Sequence, residues 1–432
     1  MKQSLGGFQW MAFMIAAAIV APIAIGDLYG FEGVEKAAFV QRTMFVLGVA
    51  GLLQGLIGHR YPINEGPAGL WWGIFVIYAG FAGTIYGSTQ EVLQYLQSGM
   101  LISGVLFIFL SLFGVIGRLT KLFTPSVTFV YLFLLILQLS GPFMNGMMGI
   151  SQQNKSVDGV VILASLSLLV LTFYLSNHQI KWIKRYSILF SLGIGWLLFI
   201  LLGKNPPLAV GKLNWISVPE LFVWGTPKWD SGILATGFFI TLLLTTNMIA
   251  SIRIMESVID NKDNDLLSRS RKGGFVSGVN QLLAGSFSAI GSVPISGAAG
   301  FVATTGMRNL FPFLLGSGFV ILVSFFPRIM TVLSTLPPAV GYTVTFVIFT
   351  KMVAMAFTEW SKESDLDRAY RVAGPALLAG AGAMFVPASA FVGMPAFAVS
   401  ILNNGLILGT LIAIVIEQGL LVTSRSNKKR SS

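Results

Sequence analysis

Hydrophobic runs of about 20 residues recur along the whole chain, separated by short polar segments rich in Lys, Arg, Gly and Pro. A run of that length crosses the roughly 30 Å hydrocarbon core as one helix, so the pattern predicts an all-α polytopic membrane protein. Fourteen spans are expected, near 8–26, 38–57, 66–86, 94–116, 126–143, 158–176, 183–203, 231–256, 275–290, 296–306, 311–333, 338–357, 373–391 and 396–423. The first has no cleavage-site pattern and reads as a true span. Charge supports the count. With the amino terminus inside, about 21 of the 28 Lys and Arg fall in cytoplasmic segments, including Arg60, Arg118, Lys121, Lys181, Lys262, Arg269, Arg371 and the tail. The outer segments keep few, among them Lys36, Arg42, Lys204, Lys212 and Lys228. An even count with both ends cytoplasmic, in the cell membrane, is the expectation.

The stretch 204–230 holds Pro206, Pro207, Pro219 and Pro227 and reads as an external connection between two seven-span halves, 1–203 and 231–423, followed by a basic cytoplasmic tail, 424–432. Seven is odd, so the second half enters the membrane reversed, the arithmetic of an inverted repeat. The third span of each half opens on a Gly/Pro interruption. One is Asn64-Glu65-Gly66-Pro67-Ala68-Gly69, the other Gly291-Ser292-Val293-Pro294-Ile295-Ser296-Gly297-Ala298-Ala299-Gly300. Proline removes a backbone donor and glycine frees the backbone, so residues 66–70 and 296–301 are expected to be extended and to cross near the bundle centre. Each would lead into a half-helix, and the two amino termini would offer free N–H groups to a carbonyl-rich ligand. Ala68, Gly69, Ser296, Gly297 and Ala298 are therefore candidate binding positions.

Composition narrows the function. Hydrophobic residues make up 54% of the chain and charged residues 10%, far below the roughly one quarter typical of soluble proteins. No soluble domain is left over. The absence of cysteine excludes disulfides and thiolate chemistry. His59 and His178 are the only imidazoles and are expected in interfacial loops, so neither a metal site nor another cofactor is expected. The net charge of +11 lies between spans and reads as an orientation signal rather than a nucleic-acid surface. With no His-rich cluster, Ser–His dyad or Walker-type loop, an enzyme has no support. A transporter for a small molecule does.

Single residues then stand out by position. Asn247 lies mid-span, and its amide suits a ring edge carrying both carbonyl and N–H groups. Ser251 sits one turn along the same face. Gln9 and Gln281 are further amide candidates, and Trp10, Trp71 and Trp72 could stack on a flat ring. Glu65, beside the broken third span, is the candidate coupling acid, because an acid within a membrane bundle is functional by default. Asp27, Glu32, Glu35, Glu91 and Asp158 are expected in outer loops. Glu256 and Asp260 are expected to pair with Arg253.

Several motifs then fall into a known order: Gly7-Phe8-Gln9-Trp10 with Pro22; Gly48 to Gln54 with Gly58, Pro62 and Gly66; Leu122-Phe123-Thr124-Pro125 with Val127-Thr128; Trp224 to Trp229; Leu336-Pro337-Pro338; and Asn403-Asn404-Gly405. In these residues the chain resembles the nucleobase–ascorbate transporter family, the second class of nucleobase:cation symporters, along nearly its whole length. The resemblance implies a gate-and-core fold of seven plus seven spans, with substrate held between spans 1, 3, 8 and 10. It implies H⁺- or Na⁺-coupled uptake of uracil, xanthine, uric acid or related purines, often by a homodimer. The usual family acids are replaced: Asn247, Ala250 and Ser251 stand at the polar positions of span 8. Aligning Gly300 and Thr305 with the family pattern puts Gly297 and Ala298 at those of span 10. A purine such as xanthine, guanine or uric acid is the expected cargo. The alternatives are a sulfate- or carboxylate-type anion carrier, whose ligand paired half-helix termini would also suit, and an uncoupled nucleobase facilitator.

Overall fold

The computed structural model describes every residue except 1, 120–121, 151–154, 209–213, 260–265 and 431–432. Asp260, Lys121, Lys212 and Lys262 thus lie outside the described residues. The chain is mostly helical: α1 (Lys2–Ala18), α2 (Val20–Leu28), α3 (Gly33–Leu56), α4 (Gly69–Ala79), α5 (Thr89–Leu112), α6 (Ile116–Leu119), α7 (Pro125–Met147), α8 (Gly159–Ser176), α9 (Lys181–Arg185) and α10 (Ser187–Leu201) come first. After the connection follow α11 (Ser231–Ile259), α12 (Leu266–Ser286), α13 (Gly297–Thr305), α14 (Leu310–Ser324), α15 (Pro327–Ser334), α16 (Pro338–Trp360), α17 (Leu366–Ala383), α18 (Ala396–Leu402) and α19 (Gly405–Arg430). Among the described residues eight helices are long and apolar enough to cross a bilayer, or nine if the bent pair α14–α15 is one span. This is a multi-pass membrane protein.

In the second half, three spans expected to be continuous are not single helices. The run 311–333 bends by 92° between α14 and α15. Pro327 opens α15, and proline forces the preceding Phe326 into extended backbone (φ −103°, ψ 93°). The run 373–391 ends as helix at Ala383, ahead of Pro387, and continues as a short 3₁₀ turn, Ala388–Phe391. The run 396–423 breaks at Asn403–Asn404, where the Asn404 side chain accepts from the Ile407 amide (3.1 Å) and starts α19 afresh.

The helices pack as two bodies. One gathers α1, α3, α5, α11, α12, α14 and α18; the other gathers α7, α8, α10, α16, α17 and α19. Small residues bring helices together. A Cβ added at Gly104 of α5 would lie 2.8 Å from the Gly278 carbonyl of α12, and one at Gly278 would lie 2.7 Å from the Gly104 carbonyl. Close backbone approach of this kind is how apolar helices gain packing energy in lipid. The bodies meet where α16 packs on α2, α7 on α4 and α10 on α1. At the α2–α16 seam Tyr342 Oη donates to the Ala24 carbonyl (3.3 Å).

Between the bodies run the two short strands, β1 (Glu65–Pro67) and β2 (Ser292–Pro294), paired antiparallel with Glu65 opposite Pro294, Gly66 opposite Val293 and Pro67 opposite Ser292. The first extended piece, 65–68, therefore overlaps the expected 66–70, whereas the second lies earlier than 296–301. Each strand closes on a proline, after which Ala68-Gly69 and Ser296-Gly297 turn at once into α4 and α13. Glycine and alanine at a helix start cost little, so the Gly-Ala-Ala-Gly run of 297–300 coils rather than extends.

Candidate functional site

Side chains in paired strands alternate between two faces. Glu65, Pro67, Ser292 and Pro294 share one face of the ribbon; Gly66 and Val293 share the other. Hydrogen bonds fix it on all sides. Ser251 Oγ donates to the Pro294 carbonyl (2.8 Å), and the Ile295 and Ala68 amides donate to the Asn64 and Gly291 carbonyls (both 2.9 Å). From α12, Gln281 Nε2 donates to the Ser292 carbonyl (2.6 Å) while its Oε1 accepts from Trp71 Nε1 (2.8 Å).

The ribbon sets two helix starts against each other. At α4 the first amides, Gly69 to Trp71, have no carbonyl a turn behind them. At α13 the Ala298 and Ala299 amides already bond the Ile295 and Ser296 carbonyls, so the donors left to a ligand are Ser296 and Gly297. Both helix dipoles point their positive ends at the crossing. Around it the surface is open: Ala250 and Arg253 of α11 and Gly297, Gly300 and Ala303 of α13 are exposed, and a Cβ added at Gly300 would meet nothing within 4 Å. The second body closes the other side, with Leu135 of α7 and Phe349 of α16 about 3.9 and 3.8 Å from a Cβ placed on Gly69.

The expected residues separate into those at the opening and those behind it. Asn247 is half-buried on α11, one turn before Ala250, and Gly69, Ser296 and Gly297 border the crossing. Gln9 is half-buried on α1. Ser251 is 1% exposed and engaged by Pro294, so it positions β2 rather than facing the opening. Ala68 and Ala298 are fully buried, because the 3.6-residue helical period turns Gly297 and Gly300 outward and Ala298 inward. The three tryptophans are packing groups: Trp10 lies against Phe301 and Phe313, Trp71 binds Gln281, and Trp72 meets Phe143 edge-on.

Other expectations are corrected. Glu65, read as bordering the cavity, is 3% exposed and lies on the ribbon face turned to α12. His59 is fully buried, its Nδ1 accepting from the Tyr61 amide (3.1 Å), because the chain folds back under α12 there. Glu256 accepts from Tyr61 Oη (3.2 Å) rather than pairing with Arg253. Asp27 is helical in α2 and faces Lys36 at 3.8 Å instead of lying in a solvated loop.

Three buried polar residues went unnoticed in the sequence. Asn280 of α12 is fully buried beside Glu65. Gln138 of α7 sits over Gly73, its Oε1 buried without a partner among the described residues. Glu417 of α19 is fully buried, 3.8 Å from Arg368, which also binds Glu363. Burial works against the Glu363 charge, but hydrogen bonds from Ser126 and Arg368 prevail and hold its carboxyl below the usual range. Each left a legible signal as a polar interruption of an apolar run: Asn280 beside Gln281, Glu417 beside Gln418, and Gln138 alone. Two concavities of about 320 and 760 Å³ lie near the 204–230 connection, away from the crossing strands.

Comparison with known proteins follows the same lines. The description "Permease family" matches residues 1–389. The chain is 44% identical over 422 residues to YwdJ of Bacillus subtilis (strain 168), provisionally designated a purine permease, covering 97% of this chain and 96% of YwdJ. It is 23% identical over 416 residues to the uric acid permease PucK of the same organism, covering 95% and 94%. Among solved structures it is similar to the transmembrane domain of the cyanobacterium bicarbonate transporter BicA, with a TM-score of 0.63, 15% identity and 96% of each chain covered. It is also similar to the murine Slc26a9 anion transporter, with a TM-score of 0.63 and 11% identity over 98% of this chain and 68% of that one. At such identities these two likenesses concern the fold.

Proposed function

The chain belongs to the permease family, is no enzyme, and on that premise we propose that it is a secondary active transporter carrying a purine nucleobase such as xanthine, guanine or uric acid across the cell membrane. The observation that carries this reading is the meeting of two half-helix amino termini at the seam between two helix bodies. Ring carbonyls would accept from Gly69 to Trp71 on one side and from Ser296 and Gly297 on the other. Asn247 would read an edge presenting both a donor and an acceptor. Asn247 and the glycines at this crossing are uncharged, and Arg253 stands exposed at its opening, which suits a neutral or weakly acidic ring. The names of the relatives, a purine, a uric acid and a xanthine permease, favour the same class.

The seven-plus-seven arrangement belongs to this proposal, with 1–203 and 231–423 as inverted halves, 204–230 external, the 424–432 tail and both termini cytoplasmic, and β1–α4 and β2–α13 as broken spans 3 and 10. Packing partners support it by repeating between halves: α14 packs on α1 and α3 as α5 packs on α11 and α12, and α7 packs on α17 as α16 packs on α8. In this orientation the seam is closed outside by Tyr342 on Ala24 and open inside along α11 and α13. Coupling is assigned to Glu65, with H⁺ as the ion.

Uptake of labelled xanthine, guanine, uric acid, uracil and sulfate into cells lacking their own purine permeases tests the substrate. Saturable uptake of one purine, competed by its neighbours in the series, is expected. Asn247→Ala should weaken it at least tenfold at unchanged membrane abundance, since a lost buried hydrogen bond costs about 1–3 kcal/mol. Sulfate uptake without any base uptake would refute the reading.

A further inference from the structure

Glu65 belongs to a closed polar pocket on the side of the ribbon facing α12. Its carboxyl lies beside the Asn280 amide and the Ser292 hydroxyl. The three residues are 3%, 0% and 2% exposed. Among the described residues both Glu65 oxygens, both polar atoms of the Asn280 amide and Ser292 Oγ lack a hydrogen-bond partner. Next door, both ends of the Gln281 amide are bonded, whereas both polar atoms of the Asn64 amide, just before β1, are likewise buried without a partner among the described residues.

Among the described residues no other charged side chain is placed at the pocket. The stretch before β1 carries His59, bonded to the Tyr61 amide, and exposed Arg60. Lys2 begins α1. On α3, Glu35 and Lys36 lie in the first turns and Arg42 bonds the Ser288 carbonyl. On α11, Arg253 is exposed and Glu256 binds Tyr61. On α12, Arg269 and Arg271 bond the His59 carbonyl and the Ser111 and Leu112 carbonyls, and Lys272 is exposed. β2 has no charged residue. A lone carboxylate enclosed this way is far costlier than its neutral acid.

The donor and acceptor inventory identifies what neutralises it. A protonated Glu65 donates its O–H to Asn280 Oδ1, and its other oxygen accepts from Asn280 Nδ2 and Ser292 Oγ. Every group is then satisfied. A cation would take the oxygens of Glu65, Asn280 Oδ1 and Ser292 Oγ as ligands but would leave the Asn280 N–H groups without an acceptor. We infer that Glu65, Asn280 and Ser292 form a one-proton pocket, separate from the substrate opening, in which Asn280 and Ser292 are positioning residues that hold the neutral carboxyl and whose loading and release drive the transport cycle. The transport role rests on the coupled-permease reading above; the pocket itself does not. Loading forms the Glu65 O–H bond with a proton from water, and release returns it, with no other bond made or broken.

The test uses the full chain in liposomes, with two readouts. Without substrate, infrared difference spectra after a pH jump should show a carboxyl band that Glu65→Gln removes and that Glu65→Gln with Asn280→Asp restores, because the acid is moved across the same pocket. With substrate, Glu65→Gln should lose accumulation under an imposed pH gradient while keeping downhill exchange, and the double variant should regain it. Replacement that merely perturbed packing would not be rescued by relocating the acid. The inference is overturned if Glu65→Gln still accumulates substrate. It is overturned equally if the double variant exchanges substrate but neither accumulates it nor shows the band, or if the unaltered protein responds to a sodium gradient and not to pH. If no nucleobase is carried at all, the substrate reading fails, while the infrared arm still decides the pocket.

Discussion

Gln281→Leu is the sharpest probe of what holds the crossing strands in place. The leucine preserves most of the volume in a fully buried position and removes both polar ends. Trp71 Nε1 loses its acceptor at 2.8 Å and the Ser292 carbonyl loses its donor at 2.6 Å, both without access to water. Each buried orphan costs about 1–3 kcal/mol, so the substitution should destabilise the ribbon by roughly 2–6 kcal/mol. That is a large share of the about 5–15 kcal/mol that separates folded from unfolded domains. Melting of the detergent-solubilised protein, followed by size-exclusion chromatography after heating, should fall clearly for Gln281→Leu. Trp71→Phe should fall less, because it orphans only Gln281 Oε1. A double-mutant cycle between the two should give about 0.5–3 kcal/mol of coupling, as expected for direct partners. Additive losses, or a Gln281→Leu protein that melts and transports like the parent, would refute the view that Gln281 ties α4 to β2.

Gly104→Val should lower melting markedly, because even its Cβ would lie 2.8 Å from the Gly278 carbonyl and 2.7 Å from Leu282 Cγ; an unchanged melt would disprove the close α5–α12 approach. Gly300→Leu should abolish uptake at normal abundance and melting, since a side chain there enters open space; full uptake would place the substrate elsewhere. Gly341→Val should hold the seam at α2 open, because a Cβ at Gly341 already lies 2.8 Å from Val20 Cγ1. The chain has no native cysteine, so labelling of Ala24→Cys by an impermeant thiol reagent added outside reads this directly, and labelling should rise.

The sequence exposed the parts of this architecture that depend on chain-local chemistry. Paired Gly/Pro interruptions marked both crossing strands because proline and glycine act on their own backbone wherever they stand. The second was placed several residues late, since Ser296-Gly297-Ala298 can coil or extend and only the pairing of β2 with β1 settles which. Asn247 was legible as a polar residue in an apolar run. The burial of Ser251 and Ala298 was not legible because facing direction depends on the helix phase and on partners far away in sequence: Pro294 is what engages Ser251. Glu65 was recognised as a buried-acid candidate, but the side on which it lies follows from strand register, which no single sequence displays. Asn280 went unnoticed for the same reason; an asparagine in an apolar run gains meaning only when an acid is found opposite it.

Placing the acid behind the ribbon changes what coupling has to be. With Asn247 and Gly297 at the positions where acids are usual in the family, the substrate and the proton would not share a hydrogen-bonded group. Any linkage must pass through backbone. β1 and β2 supply that route, because Glu65 and Ser292 on the α12 face alternate with Gly66 and Val293, and the same strands run directly into the amides of α4 and α13. Loading the proton draws Glu65 towards Asn280 and Ser292; releasing it leaves a buried carboxylate that the pocket cannot satisfy, so the ribbon must shift or open to water. A shift of the ribbon would move the Gly69 and Gly297 amides together, at the point where the substrate is proposed to bind. The substrate thus favours one ribbon position and the proton favours one ribbon position, and symport requires that these be the same. Linkage is reciprocal, so raising proton occupancy should tighten substrate binding by the same factor by which substrate tightens proton binding. Substrate affinity measured across pH should therefore vary in the parent and become flat in Glu65→Gln. A Glu65→Gln protein whose affinity still follows pH would show that the linkage runs through another group.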